Sequence, residues 1–174
     1  MKRFALALVI AGFAIPATAA IWTFNDPLSW NQEVPPATGS QGTGLATGIY
    51  DDATNILTFS SMSVSNLLGT MTASHIHTGA VGVNGPIIVN LPTFGSWSGT
   101  GPNATYVQTS PIVLTSAQEA QFLAGGTYIN IHTTRLPGGE VRGQLNPVPE
   151  PASLVALGAA LAALAARRRG RSSG

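Results

Sequence analysis

Residues 128–145 read YINIHTTRLPGGEVRGQL, and the alternation inside this stretch decides the fold. Successive side chains of an extended chain point to opposite faces. Ile129 and Ile131 therefore form a core pair, and Tyr128, Asn130 and His132 occupy the opposite face. Leu136-Pro137-Gly138-Gly139 is turn chemistry. Beyond it Val141 and Leu145 are expected to point inward, and Glu140, Arg142 and Gln144 outward. The stretch reads as a β-hairpin with one apolar and one polar side.

The same reading extends N-terminally. Gly44–Tyr50 and Ile56–Val64 flank the turn Asp51-Asp52-Ala53-Thr54-Asn55, a second hairpin. Thr72–Thr78, Pro86–Leu91 and Thr105–Val113 (broken near Pro111) are further strands, after a short start at Ile21–Trp30. Ser116-Ala117-Gln118-Glu119 has the form of a capping box. It predicts one short helix near 116–124, ended by Gly125-Gly126. About seven short strands and one helix predict an all-β fold, a single antiparallel β-sandwich or barrel of immunoglobulin- or superoxide-dismutase-like type.

Charge separates the ends from the body. Six of the eight basic residues (Lys2, Arg3, Arg167, Arg168, Arg169 and Arg171) lie in the terminal segments. Between them Arg135 and Arg142 face Asp26, Glu33, Asp51, Asp52, Glu119 and Glu140, a net charge of −4. A body of that sign has no basic stripe for nucleic acid and no attraction to an anionic membrane surface. The chain has no cysteine, which excludes disulfides, thiolate metal sites and a cysteine nucleophile.

Three parts follow from this. Residues 1–20, with Lys2-Arg3, an apolar run and Ala17-Thr18-Ala19, have the order of a secretory signal peptide. Residues 21–147 form the β domain. Residues 148–174 carry Pro149-Glu150-Pro151, the apolar run Ala152–Ala166, just short of a full span, and Arg167-Arg168-Arg169. That tail resembles the PEP-CTERM sorting signal of Gram-negative bacteria. The resemblance implies export, transient anchoring in the inner membrane, processing by an exosortase-type enzyme, and delivery toward the cell surface.

Three segments of the body, LSWNQEVPP (Leu28–Pro36), SHIHTGAVGVNGPIIVNL (Ser74–Leu91) and the opening hairpin, together resemble the CHRD domain over roughly residues 23–146. That module is repeated in chordin and occurs singly in bacterial exported proteins. The resemblance implies a secreted binding or structural module, whose partner would be an extracellular polysaccharide or an envelope protein, and implies no enzymatic activity.

One constellation can carry chemistry. In SHIHT, Ile76 is the core residue, so His75 and His77 point outward together, as His132 does in the hairpin. Imidazoles suit copper or zinc, and three of them leave a coordination position open. The order His75, His77, His132, Arg142 is similar to the copper side of copper/zinc superoxide dismutase, which implies Arg142 near the open position and, as the alternative to a non-enzymatic module, weak redox activity; parity puts Glu140 on the same outer face. No histidines remain for a bridged zinc. The same three histidines also suit a structural role, hydrogen-bonded to backbone carbonyls or to Glu140. Other chemistries lack their parts: there is no Gly-x-Ser-x-Gly elbow and no phosphate loop, and Asp51-Asp52 sits at a hairpin tip. Trp22, Trp30 and Trp97 suit either sugar stacking or anchoring at the core and sheet edges.

Overall fold

Alternating apolar residues in short runs, with Gly, Asn and Pro between them, produce one strongly curled antiparallel sheet. A computed structural model describes residues 20–150. The rest of the predicted signal peptide, Pro151 and the Arg167–Arg169 cluster lie outside the described residues. The strands are β1 (Ile21–Ser29), β2 (Thr43–Asp51), β3 (Ile56–Ser65), β4 (Met71–Thr78), β5 (Ile87–Asn90), β6 (Gly95–Ser98), β7 (Ala104–Gln108), β8 (Ile112–Val113), β9 (Thr127–Thr133), β10 (Val141–Leu145) and β11 (Val148–Pro149). Their order is β5-β4-β9-β10-β1-β2-β3-β7-β6, with β11 beside β1 and β8 beside β3. Among the described residues, the all-β architecture with one short α-helix is the one expected.

The inner face of the curl is the core. Phe24, Phe59 and Phe122 meet edge to face, with centroids 5.6 and 6.0 Å apart around Phe24. Ile76, Ile129, Ile131, Val141 and Leu145 are fully buried beside them, so the parity of all three strands is as expected. The helix α1 (Ser116–Leu123) closes the core with Phe122.

Three details differ from expectation. The helix cap is Thr115, whose hydroxyl accepts from the N–H of Gln118 while Gln118 reaches back, so the box sits one residue earlier than Ser116/Glu119. The short strand β6 had no clear signal in GSWS. The short start is instead a nine-residue strand in the middle of the sheet, paired with β2 along its whole length. Asn25-Asp26-Pro27 is poor strand sequence, yet the pairing tolerates it. The carbonyl of Pro27 accepts from Gln32 Nε2 at 2.9 Å, away from β2, so the missing N–H of Pro27 faces the same side and costs no ladder bond.

Candidate metal centre

β4 and β9 pair antiparallel, with His75 opposite Asn130 and His77 opposite Tyr128. On the other flank of β9, Arg142 of β10 lies opposite Asn130. The outer face thus carries His75 and His77 on one strand and His132, Asn130 and Tyr128 on the next. Each of the three imidazoles offers one nitrogen within 4.8 Å of the others. The sequence expectation that the three share one face is met, and the register makes them neighbours.

Their hydrogen bonds fix which nitrogens are free. His77 Nδ1 donates to the Gly85 carbonyl at 2.9 Å, and His132 Nδ1 donates to the Pro137 carbonyl at 3.0 Å. A carbonyl can only accept, so Nδ1 carries the hydrogen in both rings and Nε2 presents a bare lone pair. His77 Nε2 is buried and has no partner. His132 Nε2 faces His75 Nδ1 at 3.2 Å. Two nitrogens bound to one tetrahedral ion at about 2.0–2.1 Å stand about 3.3 Å apart. The His75–His132 pair therefore has the spacing that one copper or zinc ion needs, and His77 offers a third nitrogen within 4.8 Å. His77 Nε2, His132 Nε2 and His75 Nδ1 would hold it, once His75 places its hydrogen on Nε2.

Electrostatics favour the neutral, ligating form. Burial holds His75 and His77 below the ordinary imidazole pKa. His132 and His77 push His75 further down. At His77 the Gly85 carbonyl works the other way, and His132 and Arg142 add to the lowering.

Arg142 is on the expected face but closed off from solvent. Its guanidinium lies 3.5 Å from the centroid of Tyr128, and the His77 ring is stacked on the same tyrosine at 5.0 Å. It donates to Asn84 Oδ1 at 3.1 Å and to the Ala80 and Val83 carbonyls at 3.0 Å each. Arg142 thus pins the loop that delivers the Gly85 carbonyl to His77, and it does not offer a charge to an incoming anion. In this it departs from the dismutase-like role.

Glu140 is a correction. It was expected outward beside the histidines, but it is fully buried and turned the other way. Its carboxylate accepts from Ser40 Oγ at 2.7 Å, from Thr133 Oγ1 at 2.6 Å and from the N–H groups of Leu68 and Gly69. Strand parity does not reach it: β10 begins at Val141, and Gly139, at φ +136°, reorients the chain just before.

Sequence reasoning missed Glu33. It is buried beside Asn130, whose amide donates to Glu33 Oε2 at 3.4 Å, while Glu33 Oε1 and Asn130 Oδ1 have no partner. Burial raises its pKa to about 7 against the lowering pull of Arg142 and Asn130. A neutral Glu33 carries an O–H that can donate where the carboxylate can only accept. Trp22 and Trp97 pack against the core, and Trp97 Nε1 donates to Ser74 Oγ at 2.9 Å.

The CHRD domain family model matches residues 24–145. The chain belongs to the CHRD domain family. The PEP-CTERM protein-sorting motif matches residues 147–169 and marks this CHRD protein as an exported substrate of an exosortase-type enzyme. No curated protein and no solved structure matches the chain.

Proposed function

We propose that this CHRD domain is an exported, non-enzymatic metal-binding module, with His75, His77 and His132 as ligands to one copper or zinc ion. The observation that carries the reading is the buried, unpartnered Nε2 of His77. A buried acceptor without a partner costs free energy, and a metal at this point removes that cost. The backbone carbonyls of Gly85 and Pro137 act as the outer shell that orients the ligands, as carbonyls commonly do for metal-bound histidines. A binding role rather than turnover is supported by Arg142, which is buried and whose terminal nitrogens both donate inside the protein. The same export that sorts the chain would place the histidine face outside the cytoplasm, at the cell surface. Isothermal titration of the purified domain with Zn²⁺ and Cu²⁺ tests this. A single-site isotherm that disappears in the triple His→Ala variant is expected, and equal heats from the two proteins would end the proposal.

A second reading, contact with an envelope protein or polysaccharide, is favoured by the exposed Val81, Val83 and Ile87 around the Gly85 turn. Retention of the purified domain on envelope fractions, lost on Val81→Ser and Val83→Ser, would support it.

A further inference from the structure

The prolines at the end of the domain alternate. Pro147, Pro149 and Pro151 leave backbone N–H groups only at Val148 and Glu150. In an extended chain N–H groups two residues apart point to the same side. A strand of this sequence can donate along one edge only, and that edge is used. Val148 pairs with Thr23 and Pro149 with Trp22, and the Glu150 N–H donates to the Ile21 carbonyl at 2.9 Å. The opposite edge has no donors at the prolines, so it cannot take up a further strand.

The match to the sorting motif begins at residue 147. Its first residues are therefore a strand of the folded domain and not a tether beyond it. Val148, Pro149 and Glu150 are exposed, so their side chains can be read while the backbone is paired. The start of the domain is held at the same corner: the Ala20 N–H donates to Asp52 Oδ1 at 2.7 Å, next to Ile21.

We propose that β1 presents the sorting motif: the exosortase-type enzyme reads Pro149 and Glu150 while they are paired to Ile21–Thr23. A chain is then processed efficiently only after its domain has folded. The position of β1 is set by its nine-residue pairing with β2, so the template exists only in the folded sheet. Holding the motif extended removes ordering cost from its capture by the enzyme. The inference does not depend on metal binding.

The test uses the full chain in a host that carries an exosortase, with processed and unprocessed forms quantified over time. A flexible Gly-Ser linker of about ten residues between Asn146 and Pro147 leaves the motif intact and frees it from β1. The few exposed bonds of the bridge are too weak to hold it there, and processing is expected to slow about tenfold. Val148→Pro, which removes one of the two donors and keeps Pro149-Glu150-Pro151, should slow it less, with protease resistance of the domain retained. Wild-type processing of the linker chain would overturn the proposal. Faster processing would also overturn it, because β1 would then be masking the motif.

Discussion

His75 Nδ1 stands 3.2 Å from His132 Nε2, although 57 positions separate them in the chain. The pairing of β4 with β9 brings them together, and the Pro137 carbonyl turns the His132 ring so that a lone pair points at its neighbour. With His77 Nε2 buried nearby and without a protein partner, the folded sheet gathers imidazole nitrogens whose lone pairs suit a metal ion. Four outcomes follow from this arrangement and its surroundings.

The first concerns acid. His75 and His77 have folded-state pKa values below the ordinary 6.5. Above that value both rings are neutral whether folded or unfolded, so they add no pH dependence. As pH falls below 6.5 the unfolded chain takes up protons first, and the metal-free domain loses stability until the folded pKa values are passed. Denaturant melts of the metal-free protein between pH 7 and 5 should show this loss, and replacing both residues by Phe should flatten it. The proposed metal affinity is predicted to fall over the same range, because protons compete for the ligands.

Glu33 acts in the opposite direction. Its folded pKa of about 7 exceeds the ordinary 4.5, so its contribution is complete below 4.5 and is lost as pH rises through about 7. Glu33→Gln keeps a neutral group with its own N–H donors at every pH. At pH 8 the variant should be more stable than the wild type by about 3 kcal/mol, and at pH 4 the two should be alike. Taken with the histidines, the metal-free domain is most stable slightly below neutrality.

Arg142 is predicted to matter through packing and positioning. Arg142→Ala loses the contact over Tyr128 and the bonds to Asn84, Ala80 and Val83, and about 3 kcal/mol of stability should go with them. Arg142→Lys keeps the charge but not the fork and should recover only part. Because the loop carrying Gly85 orients His77, metal affinity in either variant should fall about 10- to 100-fold, measured by titration at a temperature where the protein is folded.

The candidate site was legible where parity governs. Ile76, Ile129 and Ile131 had to face the core, which put all three histidines on one side. Strand adjacency was not legible: β4 lies beside β9 through a pairing 57 residues apart, and no local signal encodes it. Glu140 escaped because one turn glycine at positive φ undoes alternation at the residue before a strand. β1 escaped because Asn25, Asp26 and Pro27 argue against a strand locally, and only the Gln32 bond to the Pro27 carbonyl explains the exception. Glu33 escaped because a lone acid in a Pro-rich loop gives no hint that the fold will bury it against Asn130. The fold class followed from short-range pattern, whereas the partners of buried charges depend on long-range pairing.

The most direct test of the metal reading is a count of metal per chain. The domain is loaded with excess Cu²⁺ or Zn²⁺, desalted and analysed for metal and protein together. About one ion per chain should be retained by the wild type and lost from His77→Ala, whose Nε2 is the unpartnered atom. A wild-type protein that keeps no more metal than the triple His→Ala variant would contradict the account.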